Sequence, residues 1–475
     1  MSSNIKDLII VGSGMGGALT GVLNQDKETL ILEKEPNLGG CASSFKHHGY
    51  YYNTGATTLV GYEENHPLKR IFDKVGYTPN LKRSSIAIRT IQNGKVLDRV
   101  KDFETFLKAL DEVYYHPNNR LFWETIKTLD ELFWQLKSVH YAKHSLKAYQ
   151  KTLSCVWELY GTFKNLLFKE ASSYINEVLP NISKEYQAFI DAQLLITVQS
   201  SSKNIPLLSM ALGLSYPFHD VFYVNNGMGQ IFKELLEPLN VQKNEEVLKI
   251  EKHKNVLLVK TRKEEYQTKN VVINLPIFES FKLFDDYDSY LFYEQFHAHE
   301  QSAFVVYLKI KSKEKFLHHY QLILNKQIAH TTSQAMFVSF SDSEDTVLSK
   351  DGYSVTISMH TNVNFWKQLS ISDYEVQKHR TQTQMIKEFL ACFETLKAEH
   401  IESFFSATSK TFQRYINRSN CGGHVLTIEN MLRFPACTTP FKGVYHVGDS
   451  VFAGQGWPGV ALGVEVLQEE LKRRF

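Results

Sequence analysis

Charge of one sign, paired cysteines and long hydrophobic runs are all scarce in this sequence. The 53 Lys and Arg residues nearly balance the 51 Asp and Glu residues, and a net charge of +2 offers no basic domain for nucleic acid. The five cysteines are odd in number and form no CxxC pair, so we expect reduced thiols and no disulfide or zinc framework. These absences favour a cytoplasmic protein that does not bind nucleic acid.

One uncharged stretch near the N-terminus, from Leu8 to Gln25, could be mistaken for a signal sequence or a membrane span. Glycines interrupt it, no cleavage-type ending follows, and charged residues resume at Asp26. A folded strand and helix explain the stretch better. We therefore predict no transmembrane helix.

The same stretch belongs to a βαβ unit at the start of the chain. Residues 7–11, DLIIV, are typical of a strand buried on both faces, and residues 29–34, TLILEK, of a second one. Between them lie the turn GSGMGG and a helical pattern, ALTGVLNQ. This order predicts a Rossmann-type parallel sheet.

The turn carries GxGxxG, and Glu33 follows 21 residues after Gly12 at the end of the second strand. Gly12 permits the tight turn, Gly14 lets the backbone approach a pyrophosphate, and Gly17 lets helix pack on strand. The helix N-terminus favours phosphate, and the Glu33 carboxylate can accept hydrogen bonds from a ribose. The cofactor-binding residues predicted in this unit are Gly12, Ser13, Gly14, Gly17, Glu33 and Lys34.

A second glycine turn follows at once, in EKEPNLGGCASSF. Its Gly40, with the hydroxyl groups of Ser43 and Ser44, suits a second phosphate, which a plain NAD-binding domain does not require. We add these three residues to the predicted cofactor site. The pattern favours FAD over NAD.

From here the chain resembles a known family. The segment EKEPNLGGCASSFKHHGYYYNTGATTL is similar to the FAD-binding segment of the phytoene-desaturase-like branch, with its carotenoid isomerases, of the FAD-dependent amine oxidase superfamily. Near the other end, YHVGDSVFAGQGWPGVALGVEVL resembles the C-terminal FAD motif of that branch, and residues 408–425 resemble the stretch that precedes it. These patches recur in family order across almost the whole chain.

The resemblance implies further contacts to FAD. It implies that Gly448 and Asp449 face the ribityl and phosphate region, and that backbone N–H groups at Gly459 and Val460 meet the pyrimidine edge of the flavin. It also implies that Val247 contacts the adenine. We assign no catalytic residue, because no Ser/His/Asp or paired-carboxylate constellation emerges, and we predict no metal site.

The predicted fold is α/β, a Rossmann-type FAD-binding domain with an inserted α+β substrate-binding domain. The FAD-binding domain is expected to be discontinuous, and the ranges assigned to it are 1–62, 226–285 and 405–475. The ranges assigned to the substrate-binding domain are 63–225 and 286–404. Many family members carry Arg where this chain has Cys41, which we expect to be a buried structural thiol.

Residues 137–157 carry four lysines and no acid, interleaved with apolar side chains. This pattern predicts a basic amphipathic helix that rests on an anionic membrane surface, or a helix with an ordinary solvated face. A lipid-soluble substrate favours the membrane alternative. The expected location is then cytoplasmic, with peripheral contact to the inner face of the membrane.

The resemblance implies an FAD-dependent oxidoreductase acting on a long apolar polyene such as a carotenoid. Desaturation, cis/trans isomerisation and saturation by hydride transfer remain open as the reaction. The alternatives are a flavin amine oxidase acting on a small amine and a flavin-binding protein without turnover.

Overall fold

The computed structural model describes residues 5–473, and two seven-stranded sheets organise the fold. The strands are β1 (Lys6–Val11), β2 (Thr29–Glu33), β3 (Ser44–His47), β4 (Tyr50–Asn53), β5 (Leu81–Arg83), β6 (Ile88–Gln92), β7 (Lys95–Arg99), β8 (Phe222–Val224), β9 (Asn240–Lys243), β10 (Val247–His253), β11 (Val256–Thr261), β12 (Glu265–Ile273), β13 (Gln301–Ile310), β14 (His319–Ile323), β15 (Ala335–Phe340), β16 (Tyr353–Asn362), β17 (Ile401–Ala407) and β18 (Val444–His446). The helices are α1 (Met15–Leu23), α2 (Pro67–Lys74), α3 (Phe103–Val113), α4 (Asn119–Trp134), α5 (Leu146–Phe163), α6 (Ala171–Val178), α7 (Lys184–Thr197), α8 (Leu207–Ser215), α9 (Gly229–Leu236), α10 (Tyr287–Glu294), α11 (Val363–Gln368), α12 (Ile371–Ala391), α13 (Ser409–Ile416) and α14 (Gly456–Leu471).

The first sheet has the order β10-β11-β12-β1-β2-β9, and β18 also pairs with β12. The strands β12, β1, β2 and β9 pair in parallel, as do β12 and β18. In β1, Leu8 and Ile10 pack in the core shared with α1 and α14, while Ile9 and Val11 pack on the opposite face. Burial on both faces explains the continuous apolar run. The predicted class, α/β with a Rossmann-type parallel sheet, is confirmed.

The second sheet has the order β17-β13-β16-β15-β14-β6-β7 and is antiparallel apart from the pairing of β14 with β6. Along β13, Phe304, Val306 and Leu308 pack in one core with the buried Met385 and Phe389 of α12. The alternate residues Val305 and Tyr307 point to the other face, where they pack against β4. A third core joins helices α3, α4, α6, α7 and α8.

The division into two domains stays a prediction, and two elements bear on its borders. Strand β17, at Ile401–Ala407, pairs with β13 in the second sheet and so crosses the predicted border before residue 405. Helix α2 packs Leu68, Ile71 and Phe72 into the core of the first sheet, although it follows the predicted border after residue 62. All of β17 therefore packs with the predicted substrate-binding domain, and α2 packs with the predicted FAD-binding domain.

The predicted helix over residues 137–157 is wrong in its first part. Helix α5 begins at Leu146, and the Ser145 side chain caps it by accepting a hydrogen bond from the Ala148 N–H. Residues 139–143 are instead held by a distant segment: the Tyr141 hydroxyl donates to the Phe434 carbonyl at 2.8 Å, and the Lys143 N–H donates to Thr438 Oγ1 at 2.9 Å. No helix among residues 5–473 combines the length and apolar character that crossing a membrane requires.

The tight contact between β1 and α1 gives a stability prediction. A methyl group on Gly17 would lie 2.1 Å from the Gly12 carbonyl oxygen, whereas one on Gly161, inside α5, would meet no atom within 4 Å. We expect Gly17→Ala to lower the free energy of unfolding by about 3 kcal/mol, because backbone must move. We expect Gly161→Ala to raise it by roughly 0.5–1 kcal/mol through helix propensity. Urea unfolding of both variants checks this, and equal stabilities would contradict it.

Candidate functional site

The first and last glycine turns of the chain pack directly against each other. Gly12, after β1, has φ 97°, and Gly448, after β18, has φ 115°. A methyl group on Gly16 would lie 2.9 Å from the Gly448 backbone nitrogen. Only glycine permits that approach, so the structure brings together the two motifs that stand at opposite ends of the sequence.

Asn274, which follows β12, lies between the two turns. Its backbone N–H donates to the Val11 carbonyl at 2.9 Å, and its Nδ2 donates to the Gly12 carbonyl at 3.4 Å. A methyl group on Gly14 would lie 2.8 Å from Asn274 Nδ2, and one on Gly448 would lie 2.9 Å from its Oδ1. Sequence reasoning missed this residue. The available signal was its position directly after a buried strand.

Glu33 lies at the end of β2, facing the first turn. Its Oε2 accepts from the Ser13 N–H at 2.8 Å and the Ser13 hydroxyl at 2.6 Å, and its Oε1 accepts from the Glu35 N–H at 2.8 Å. The carboxylate is buried and forms no ion pair within residues 5–473. The Glu245 N–H donates to the Glu33 carbonyl at 2.8 Å, which brings Val247 beside this strand end.

The residues at the second glycine turn differ in whether they lie against the first turn or bond to other parts of the protein. A methyl group on Gly40 would lie 3.4 Å from the Gly14 Cα, so Gly40 joins the first turn. The Ser44 hydroxyl instead donates to Asn53 Oδ1 at 2.9 Å and accepts from the Gly229 N–H at 3.0 Å. The ammonium group of Lys34 donates to the Arg414 carbonyl at 2.9 Å and to Asn417 Oδ1 at 2.8 Å. Lys34 and Ser44 therefore have protein partners.

Ser43 forms its hydrogen bonds in the second glycine turn through its backbone. Its N–H donates to the Gly40 carbonyl at 3.1 Å, and its own carbonyl accepts from the Thr54 N–H at 3.0 Å. These bonds fix the shape of the turn after Gly40. Ser43 itself is buried.

Two helices present their N-termini at this place. Helix α1 follows Gly14 and helix α14 follows Gln455, and within residues 5–473 neither has a side-chain cap or an acid in its first turn. Gly459 and Val460 lie in the first turns of α14, where a methyl group on Gly459 would lie 3.0 Å from the Gly454 carbonyl oxygen. Uncapped N–H groups and the helix dipole suit anionic groups.

Asp449 has a cationic partner that sequence reasoning missed. Arg418 Nη1 donates to Asp449 Oδ2 at 2.8 Å, and Arg418 Nη2 donates to the Gly422 carbonyl. The Arg418 side chain is 7 % exposed and that of Asp449 27 %. Burial has the largest single effect and lowers the pKa of Arg418, but the nearby acidic groups, Asp449 foremost, together hold it above its ordinary value. Arg418 lay within the family-like stretch 408–425.

Several buried polar atoms near the turns have no hydrogen-bond partner among residues 5–473. They are Arg418 Nε, Asn420 Oδ1, His424 Nε2 and Trp457 Nε1. A buried polar atom without a partner costs free energy, and a ligand rich in donors and acceptors could supply the missing bonds. The glycine cradle, the uncapped helices and these atoms fit a dinucleotide with an aromatic ring system.

Cys41 corrects one expectation. The 3-10 turn Gly40–Ala42 leaves this residue exposed, so the prediction of a buried structural thiol is wrong. Surrounding protein nevertheless raises the pKa of the thiol, because desolvation outweighs the opposing effect of Arg418. Cys41 is thus accessible from a recess next to the Arg418–Asp449 pair. Within residues 5–473, no group of three or more His, Cys, Asp and Glu side chains is arranged to hold a metal.

Comparisons with known proteins agree with this geometry. The family described as NAD(P)-binding Rossmann-like domain matches residues 10–75. The chain is 24 % identical to a chloroplastic prolycopene isomerase of Daucus carota, over 96 % of this chain and 78 % of that protein. It is 22 % identical to a 1-hydroxycarotenoid 3,4-desaturase of a Flavobacterium strain, over 58 % of each protein. A solved structure of a putrescine oxidase variant superposes with a TM-score of 0.65 at 12 % identity, covering 98 % of both chains, which shows the shared fold.

The Arg418–Asp449 pair gives a prediction on protein without added flavin. Asp449→Ala leaves a buried cation unpaired and should lower the free energy of unfolding. Removing one partner of a buried pair typically costs roughly 3–5 kcal/mol, and we expect a value near the lower end because Asp449 is partly exposed. Arg418→Met should cost less, since water can hydrate the remaining carboxylate. The double variant should recover part of the loss. Urea unfolding of all four proteins measures this, and strictly additive losses would show that the pair is not coupled.

Proposed function

We propose that this chain, which belongs to the phytoene-desaturase-like and carotenoid isomerase branch of the FAD-dependent amine oxidase superfamily, uses FAD to act on a long apolar polyene such as a carotenoid. The observation that carries the proposal is the backbone contact between the Gly12–Gly17 turn and Gly448, around Asn274. The relatives are named as an isomerase and a desaturase and the structural neighbour as an oxidase, which supports an enzyme.

The chain's own residues divide the binding of FAD among themselves. We propose that the N-terminus of α1, with Gly12, Gly14 and Gly40, binds the phosphates and that Glu33 binds a ribose. Val247 would contact the adenine. Asp449 would bind the ribityl region, and the first turn of α14 at Gly459 and Val460 would bind the pyrimidine edge. A bound flavin would supply hydride transfer, while the protein supplies position and a dry surface.

Half-buried apolar side chains support an apolar substrate. Val198, Ala335 and Val425 each pack against the helical core. Val198 precedes Gln199, which lies against Gly422, and Val425 follows Gly423 by two residues. Gly423 in turn packs on the Asp449 carbonyl. The names of the carrot and Flavobacterium relatives give carotenoids as their substrates, and we extend that class to this chain.

An amine substrate has weaker support. An aromatic cage for an amine needs two rings held apart, but the rings next to the second glycine turn are in mutual contact. Tyr307 and Phe405 stack with centroids 4.8 Å apart, and Tyr52 lies 5.2 Å from Phe405. The Tyr307 hydroxyl donates to the Thr54 carbonyl at 2.5 Å, which fixes the ring. This group is a packed cluster.

The first test asks for the cofactor and the substrate together. Purified protein should bind FAD and release it on denaturation, and saturating FAD should raise the unfolding temperature. Detergent-dispersed carotenoids, prolycopene among them, should then be converted anaerobically, with bleaching of the flavin when hydrogen is removed. Putrescine and cyclohexylamine should leave the flavin oxidised. Amine-dependent bleaching would support an amine oxidase, and FAD binding without any conversion would support a protein without turnover.

We also propose that α5 contacts a lipid surface, through a stripe defined by Leu146, Tyr149, Leu153, Val156, Trp157 and Tyr160. Leu146 is 75 % exposed and Trp157 is 72 % exposed, while Ala148 and Cys155 attach the opposite face to the protein. Trp and Tyr side chains favour the membrane–water interface. The one acid of α5, Glu158, lies outside this stripe, and it accepts from the Lys137 N–H. Lys147 is exposed at the start of the stripe.

The structure changes which residues should be tested for lipid contact. Lys151 pairs with Glu469, and the Lys143 ammonium donates to the Phe434 carbonyl at 3.1 Å, so these lysines have partners in the protein. Apolar contact must therefore dominate.

We expect Leu153→Glu/Trp157→Glu to abolish sedimentation with anionic liposomes while leaving flavin content unchanged. The matched control is Ile371→Glu/Val376→Glu, which places two charges at exposed apolar positions of α12 and should keep liposome binding. Wild-type behaviour of the α5 variant would contradict lipid contact. Conversion of a wild-type dimer to a monomer by that variant would assign the stripe to self-association.

A further inference from the structure

His360 occupies an unusual place in the second sheet. It lies on β16, opposite Ala303 of β13, and strand alternation directs it away from the face where Ile357 and Met359 pack in the core with α12. It therefore shares its face with Ser358 and with Tyr307 of β13. Although β16 is an inner strand, His360 remains half-buried and not fully enclosed.

A single hydrogen bond fixes the tautomer of this histidine. His360 Nε2 and Gln199 Oε1 are 2.9 Å apart, and the Gln199 Nε2 donates to the Ile196 carbonyl at 3.3 Å. Because the Gln199 oxygen must accept, His360 Nε2 carries the proton and Nδ1 carries the lone pair. Nδ1 has no partner among residues 5–473, and it is not one of the buried unpaired atoms, so it is accessible.

Gln199 connects His360 to the candidate flavin site. A methyl group on Gly422 would lie 2.6 Å from Gln199 Cγ and 2.4 Å from Gln455 Oε1. Gln455 precedes the first residue of α14, and its Nε2 donates to the Thr197 carbonyl at 2.8 Å. The Gln199 side chain thus bonds to His360 and lies against Gly422 beside Gln455, the residue that precedes the helix N-terminus assigned to the flavin.

The surroundings keep the imidazole neutral. Burial and, to a smaller extent, His299 together lower the pKa of His360 to about 4. His299 is the titratable group that acts on His360, and within residues 5–473 His360 forms no ion pair; its other polar neighbours are Gln199 and, through it, Gln301. A neutral imidazole with an accessible lone pair can accept a proton at neutral pH.

We propose that His360 is the catalytic base of the polyene reaction, an inference that rests on the proposed function. In a desaturation, two neighbouring C–H bonds of the substrate break. One hydrogen leaves as a hydride to the oxidised flavin, the other leaves as a proton to His360 Nδ1, and the electron pair of the second bond becomes the new C=C bond. Saturation runs the same transfers in reverse. Gln199 is the positioning residue that holds Nδ1 toward the substrate.

The test compares single-turnover rates of flavin-loaded proteins with a detergent-dispersed carotenoid that the wild type converts. We expect His360→Gln to slow the reaction about 10²-fold or more, with unchanged flavin content. Added imidazole should restore part of the rate in His360→Ala. His379→Asn, on the exposed face of α12, is the matched control and should react as the wild type does.

The pH profile gives a readout that a structural role would not move. The wild-type rate should rise with pH through about 4 and then level, because only the neutral imidazole accepts a proton. Gln199→Glu places a carboxylate against Nε2–H and stabilises the imidazolium, so the rise of the rate should occur at a pH roughly one unit or more higher. A rise at the same pH as in the wild type would overturn the assignment.

Nuclear magnetic resonance of ¹⁵N-histidine in the flavin-free wild type provides a check that does not depend on turnover or on variants that fail to fold. His360 should show a protonated Nε2 and an unprotonated Nδ1 down to about pH 5. An Nδ1–H tautomer, or titration near 6.5, overturns the inference. A wild type that converts carotenoids while His360→Gln matches its rate overturns the inference alone. A wild type that converts none overturns the proposed function and this inference with it.

Discussion

The packing of three distant backbone segments around the Asn274 carboxamide is the constraint on which the site depends. Asn274 follows β12, and the first glycine turn and the turn at Gly448 approach its side chain so closely that a methyl group on Gly14 or Gly448 would lie within 3 Å of it. Register explains why they meet there: Val11 pairs with Ile273, and Ile273 pairs with His446, so three strands end at one level. The glycines near the C-terminus are required because the last strand ends against the first turn.

The sequence predicted those features of the site that depend on residues close together in the chain. The apolar run of β1, the glycine spacing and Glu33 at the end of β2 lie within one βαβ unit, and each follows from strand burial and turn geometry. Asn274 and Arg418 could not be predicted in the same way, because their partners are remote in the sequence. Arg418 follows α13 and Asp449 follows β18, and nothing in the spacing of the two residues specifies their ion pair.

The segment before α5 shows how a charge pattern can mislead. Four lysines without an acid indicate a solvated helix face only when no distant acid or carbonyl group reaches them. Here Glu469 of α14 pairs with Lys151, and the loop at Phe434 accepts from Lys143. The apolar residues of the same pattern then remain exposed, so the helix presents an aromatic stripe where the sequence suggested a basic one. Long-range neutralisation thus changes the physical basis of the expected lipid contact.

One face of the second sheet packs in a core with α12, and the other face borders the candidate site. Alternation along β16 assigns Ile357 and Met359 to the core with α12, and it assigns Ser358 and His360 to the other face. Burying a histidine there is tolerable because the neutral form needs one acceptor, and Gln199 supplies it at 2.9 Å. The same desolvation that makes the imidazolium unfavourable keeps a lone pair available in apolar surroundings. A sheet face that is only half apolar is therefore compatible with the proposed apolar substrate where its polar atoms have protein partners, as His360 Nε2 has in Gln199 Oε1.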